Sequence, residues 1–232
     1  VLAVLYDIHG NLPALEAVLA DARTAGARRF VLGGDYALFG GWPRETLARL
    51  RELTGATWIR GNGERWCNAP AEAPPVEAIQ AAVRWCAGAL GPEAVARLAA
   101  LPTDAVLDGV RYCHASPVSD MIGLLPDPEP GEGALLQEVR ERRLVFGHTH
   151  LPLRRTTAQG LELLNPGSVG MPFDGDARAA YALVADDGVT VEQRRVPYDH
   201  LAAAAAVRER LGPAAELVAR RIEQARIDPD MG

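Results

Sequence analysis

The chain opens on a short apolar run, Val1 to Tyr6, of the kind that makes a buried strand, and polar residues follow it at once. From Leu12 to Ala25 the spacing turns helical, with Leu15, Val18 and Leu19 on one stripe and Pro13 suited to the first turn. A second strand, Phe30 to Leu32, runs into Gly33-Gly34-Asp35, and Pro43 then starts a helix carrying Leu47, Leu50 and Leu53. The unit recurs once more. Ala56 to Ile59 reads as a strand ending at Arg60-Gly61-Asn62, with helices expected from Val76 to Cys86 and from Pro92 to Leu101. This β-α-β-α-β-α order predicts parallel pairing through right-handed crossovers.

The second half is richer in strands. Ala105 to Leu107, Val110 to His114, Leu144 to Phe146, Leu153 to Thr157, Leu161 to Leu164, Ala179 to Val184 and Val189 to Val196 all carry the pattern, and one short helix, around Leu135 to Arg140, interrupts them. An Ala- and Arg-rich stretch from Leu201 to Ile227, broken near Gly212-Pro213, predicts two surface helices with a solvated charged face. Glycine and proline are spread evenly and no repeat is visible. One domain over residues 1–232 is therefore expected, of α/β class, with two sheets face to face, helices outside, and the C-terminal helices of about 200–227 on or beside it.

Composition narrows the partners. A net charge of −6 and a pI near 5.4 should repel a polyanion, which argues against duplex nucleic acid. The opening apolar run is too short for a membrane span and carries no basic leader or cleavage signal. Cys67 and Cys86 lack any C-x-x-C spacing, and Cys113 adjoins a histidine on a predicted strand, so free thiols in a reducing cytoplasm are expected. Monomer and homo-oligomer are equally compatible with this sequence.

The polar residues at the strand ends carry the chemistry. Asp7 and His9 follow the first strand two residues apart, so on extended backbone their side chains share a side. Asp35 ends the second strand, Asn62 the third, His114 a later one, and His148 and His150 follow another. Loops beyond strand ends are where sheets of this type bind ligands. Four of the five histidines lie at such ends; His200, which starts the C-terminal helices, is ordinary.

The blocks Asp7-x-His9-Gly10-Asn11, Gly34-Asp35, Gly61-Asn62, His114-Ala115 and Gly147-His148-Thr149-His150 resemble, in order and spacing, the signatures of calcineurin-like metallophosphoesterases. The run Asn165-Pro166-Gly167-Ser168-Val169-Gly170 is similar to a segment of their small bacterial phosphodiesterase branch. The resemblance implies a four-layer α/β/β/α sandwich of two mixed sheets. It assigns Asp7, His9 and His150 to one metal, Asn62, His114 and His148 to the other, and Asp35 to both as a bridge. It also implies attack on phosphorus by a metal-bridging hydroxide, with Asp35, Asn62 and His114 as the catalytic set. Mixed oxygen and imidazole donors without thiolate suit two divalent ions: Mn²⁺ foremost, with Fe, Ni²⁺, Zn²⁺, Co²⁺ or Mg²⁺ as alternatives.

One position departs from the family. Many members carry a histidine straight after the asparagine, as the leaving-group acid, and here Gly63 stands there. Activated phosphodiesters should suffer least from its loss. Asn11, Arg60, Glu64 and Tyr36 are expected to touch substrate, and Phe39, Trp42, Trp66, Met121 and Phe173, with Tyr36, are candidates to floor a pocket for a flat group. Asp35→Ala should cost far more activity than Glu64→Ala. The expected function is hydrolysis of small phosphorylated, nucleotide-like substrates. A phosphoprotein phosphatase, a dinucleoside-polyphosphate hydrolase and a non-catalytic protein-binding scaffold of the same fold are the alternatives.

Overall fold

The computed structural model describes residues 1–227. Strands β1 (Leu2–Leu5), β2 (Arg29–Leu32) and β3 (Thr57–Trp58) alternate with helices α1 (Leu12–Thr24) and α2 (Pro43–Arg51). Both pairings, β1 with β2 and β2 with β3, are parallel, as the element order predicts. Helices α3 (Asn62–Asn68), α4 (Glu77–Leu90) and α5 (Pro92–Ala99) lead to a second sheet. It contains β4 (Asp104–Leu107), β5 (Val110–Cys113), β6 (Arg143–Val145), β7 (Leu153–Thr156) and β8 (Glu162–Asn165), with α6 (Glu132–Leu136) before β6. Strands β9 (Ala179–Val184) and β10 (Val191–Val196) return to the first sheet, and α7 (His200–Arg210) and α8 (Ala215–Gln224) follow. The orders are β10-β9-β1-β2-β3 and β4-β5-β6-β8-β7, both mixed.

The return of β9 has a compositional cause. Its six residues are all buried, so it needs cover on both faces and lies beside the equally buried β1. Side-chain alternation builds the layers from there. Leu2, Val4 and Tyr6 point between the sheets and meet Val110, Tyr112, Val145 and Leu164, whereas Ala3 and Leu5 face the helices with Phe30 and Leu32. Beyond the second sheet, Leu144, Phe146 and Leu163 are covered by Leu135 and Leu136 of α6, giving the four-layer order helix, sheet, sheet, helix.

Three features differ from the sequence reading. Asn62 heads α3 instead of ending a strand, because β3 stops at Trp58 and Gly61 turns the chain into a helix. The residues Asn62 to Asn68 carry no apolar period that would announce one. The C-terminal pair is also more than a surface feature: Ala204, Val207, Leu211, Val218 and Ile222 are buried in the same core as Leu15 and Val18. The expected short helix lies slightly upstream, at Glu132–Leu136. Among the described residues no helix is long and apolar enough to cross a membrane.

Candidate metal centre

Parallel strands deliver their C-terminal ends to one edge, and here the edges of the two sheets adjoin. Asp7 and His9 leave β1, Asp35 leaves β2, Asn62 heads α3, His114 leaves β5, and His148 and His150 follow β6. All are buried except His148, which is partly open. His114 Nε2 lies 3.0 Å from Asn62 Oδ1, 3.6 Å from Asp35 Oδ1 and 4.0 Å from Asp7 Oδ1. His150 Nε2 lies 3.7 Å from Asp7 Oδ1, and His9 Nε2 lies 3.8 Å from Asp35 Oδ2. The His148 ring is 5.2 Å from that of His114, and its backbone N–H donates to Asp7 Oδ2 at 2.9 Å. Two groups are thereby close enough to share an ion, Asp7 with His9 and His150, and Asp7 with Asp35 and His114.

The backbone at these residues is strained. Asp7, His9, Asp35, His148 and His150 have φ of 54°, 50°, 54°, 65° and 56°, the left-handed region, which costs a non-glycine residue roughly 1–3 kcal/mol. Neighbouring segments hold them there. His9 N–H donates to Asp35 O at 2.8 Å, Asp7 N–H to Gly34 O at 3.2 Å, and Gly170 N–H to Asp7 O at 3.0 Å. Ser168 Oγ donates to the same Asp7 carbonyl at 2.7 Å. A Cβ on Gly170 would sit 1.9 Å from Ile8 O, so only glycine permits this approach. The run from Asn165 to Gly170 is thus a clamp on the first ligand loop.

The donor chemistry fits cations. His9 Nδ1 donates to Leu38 O at 2.9 Å, His114 Nδ1 to Gly33 O at 2.9 Å and His150 Nδ1 to Met171 O at 2.5 Å. Each Nδ1–H so engaged leaves a bare lone pair on Nε2, the arrangement of metal-bound histidines. The Nε2 atoms of His9 and His150 then face each other at 3.0 Å with lone pairs opposed. Asp7 Oδ1 is buried with no hydrogen-bond partner. A cation between these atoms removes both faults.

Without an ion the charges are poised for one. Burial pushes Asp7 up to about 8, with the like charge of Asp35 adding and His114 opposing. His9, His148 and His150 are all lowered, first by burial, His148 to about 4. Asp35 and His114 act on each other against burial, so that the carboxyl is lowered and the imidazole raised.

The expected substrate contacts divide. Glu64 is buried, and its carboxylate accepts from Asp35 N and Tyr36 N at 2.9 Å and from Gly61 N at 2.8 Å, so it ties two ligand loops together instead of facing a substrate. Tyr36 is wholly buried and donates to the carbonyls of Leu32 and Ile59. Asn11 caps α1 through Ala14 N–H and donates to Gly170 O. These three are framework residues because every polar atom is already engaged by the chain. Tyr36, Phe39 and Trp66 belong to the core, and Trp42 lies under the Arg210 guanidinium. Phe173 does reach the site, stacked on His150 at 4.4 Å. Arg60 lines a cavity of about 320 Å³, which abuts His114 and is walled by Arg65, Ser116 and Asp120. A larger hollow of about 780 Å³ lies behind α6 and touches no candidate ligand.

Residues 1–187 match the calcineurin-like phosphoesterase superfamily domain. A protein from Methanocaldococcus jannaschii, MJ0912, uncharacterised, is 29% identical and aligns with 85% of this chain and 88% of its own. A metallophosphoesterase structure from Sphaerobacter thermophilus superposes with a TM-score of 0.83 at 27% identity, covering 97% of this chain and 99% of that one. The hypothetical protein PH1004 of Pyrococcus horikoshii shares the fold, with a TM-score of 0.82 at 23% identity over 98% and 99% of the two chains. This chain belongs to the calcineurin-like phosphoesterase superfamily.

Proposed function

We propose that this protein is a dinuclear-metal phosphodiesterase of the small phosphodiesterase branch, working as one domain in the cytoplasm on small phosphorylated, nucleotide-like molecules. Asp7, His9 and His150 would hold one divalent ion, Asn62, His114 and His148 the other, with Asp35 shared and Mn²⁺ the foremost candidate. The observation that carries this reading is the pair of faults at the centre, the orphaned Asp7 Oδ1 and the opposed His9 and His150 lone pairs. Two ions bound there would neutralise phosphate oxygens and make water reactive at neutral pH.

The chain's own residues prepare the rest. Gly33, Leu38 and Met171 fix the imidazoles of His114, His9 and His150 through Nδ1, and the Gly63 N–H holds Asp35 Oδ1 at 2.7 Å. Asp35, Asn62 and His114 would be the groups nearest the reacting phosphate. The negative net charge favours a small substrate over a polyanion.

The test is direct. Purified protein should carry transition metal, measured by mass spectrometry, and added Mn²⁺ should raise hydrolysis of nucleotide diesters above that of monoesters and phosphopeptides. Asp35→Ala should abolish that activity. Protein that arrives without metal and gains no hydrolysis from Mn²⁺ would instead be a binding scaffold, and the proposal would fail.

A further inference from the structure

The cavity beside His114 holds a cation, Arg60, whose hydrogen-bonding capacity is not used up. Arg65 shares it but is committed: its Nε and Nη2 donate to Asp120 at 2.7 Å each, and Nη1 donates to Glu72 at 2.6 Å. Arg60 makes one long bond, from Nη1 to Ala99 O at 3.4 Å, and its Nε is buried without a partner. A guanidinium in that state lacks an acceptor it would otherwise have from water, and a phosphate oxygen is the acceptor its planar fork suits.

A second, independent feature bears on the same step. At Gly63 a Cβ would lie 2.9 Å from Asp35 Oδ1 and 3.3 Å from both Asp35 Cγ and Leu38 Cβ. The glycine N–H is what holds that carboxylate oxygen, so no proton-donating side chain fits at this position. Among the described residues lining the cavity, the acid Asp120 is kept ionised, because the hydrogen bonds from Arg65 outweigh burial and lower it. Ser116, Ser119 and Thr103 are too weakly acidic to protonate a departing oxygen.

We propose that the Arg60 cavity is the leaving-group subsite, and that it selects phosphoanhydrides, as in nucleoside polyphosphates, over alkyl esters. This rests on the phosphoesterase reading above. In the step, a water oxygen forms the new bond to phosphorus and gives its proton to solvent. The bond to the leaving oxygen breaks with its electron pair remaining on that oxygen. An alkoxide would need a proton, and among the described residues lining the cavity Asp120, Ser116, Ser119 and Thr103 do not supply one, while the His114 Nε2 would be taken up by the metal. A phosphate leaves as a stable anion, and Arg60 pairs with its charge. The cavity, at about 320 Å³, has room for one or two such groups.

Kinetics on the Mn²⁺-loaded full chain test this, comparing a dinucleoside polyphosphate, an aryl nucleotide diester and an alkyl nucleotide diester. The wild type should cleave the polyphosphate and the aryl diester and leave the alkyl diester at least about a hundredfold slower in kcat/KM. Arg60→Gln should cost the polyphosphate roughly 10–100-fold in kcat/KM, the worth of a charge-assisted hydrogen bond, and the aryl diester several-fold less. Arg60→Lys should recover part of that ratio. Binding of imidodiphosphate by calorimetry should weaken about tenfold in Arg60→Gln, with metal content unchanged, which separates lost recognition from lost folding. Equal losses on both substrates, or alkyl diesters cleaved as fast as polyphosphates, would overturn the subsite while leaving the phosphoesterase standing. No hydrolysis of any of the three would remove both.

Discussion

At the scale of single residues, Glu64 and Gly63 bear most directly on the ligands. Burial, and then the charge of Asp35, push Glu64 up to about 7, yet three backbone N–H groups point at its carboxylate. Glutamine can accept with one oxygen only and would turn its NH₂ toward a donor. Glu64→Gln should therefore lower the stability of the metal-free protein by about 1–3 kcal/mol in urea unfolding. The sequence reading ranks Asp35→Ala far above Glu64→Ala in lost activity. The structure makes the two differ in kind, since the glutamate change strips three donors of their acceptor and should show as instability as well as lost turnover. Gly63→Ala brings a methyl to within 2.9 Å of Asp35 Oδ1, and chelator competition should find metal affinity at least about tenfold weaker. Motif spacing carries the ligands, whereas nothing in a one-dimensional string reveals that Asn11, Tyr36 and Glu64 face inward. That depends on which backbone N–H and C=O groups the loops leave open, and only the folded loops determine it. Leu38 and Met171 escape sequence reading for the same reason: they act through carbonyls, which every residue has.

Among the elements, those with a strong apolar period were legible and those without were not. The Leu15, Val18 and Leu19 stripe marks α1 plainly, while α3 is seven residues long and is fixed by the Glu64 contact to Gly61 N–H, not by an apolar face. For β9, the apolar run shows that the strand is buried but not which sheet receives it. The C-terminal pair α7 and α8 reads as a charged surface, yet its alanines and aliphatics join the core, α7 against α1 and the turn between the two helices against α4. Ile222 is 2% exposed, and Ile222→Ala should cost roughly 2–5 kcal/mol in chemical denaturation. Helix α8 also reaches the site. The N–H of Gly175 donates to Ala225 O at its end, fastening the loop that holds Phe173 against His150.

For the whole molecule, a metal bound at the candidate cage would compete with protons for it. Asp7 is raised to about 8 from an ordinary value near 4, so the metal-free fold holds a proton that the unfolded chain has lost, and its stability falls as pH climbs through that window. His114, also raised, acts in the same sense. His9, His148 and His150 are lowered and act oppositely, but only below their ordinary value near 6.5. Between about pH 6.5 and 8 the downward trend is unopposed: Glu64, raised to about 7, adds to it at the lower end, and Asp7 amounts to about 2 kcal/mol. The gap in melting temperature between metal-loaded and metal-free protein should widen across that range, and calorimetry in buffers of different ionisation heat should detect protons released on metal uptake.

The left-handed turns at Asp7, His9, Asp35, His148 and His150 load the candidate metal cage like a spring. Summed at the lower end, about 1 kcal/mol each, their tension is comparable to the smallest margins, about 5 kcal/mol, by which ordinary domains outlast their unfolded chains. A lineage that ceased to bind ions would gain by relaxing those turns, with glycine or a looser loop at each. With non-glycine residues at all five positions, ion binding would have to offset that strain, so protein stripped by a chelator should be cleaved by protease faster than protein loaded with Mn²⁺.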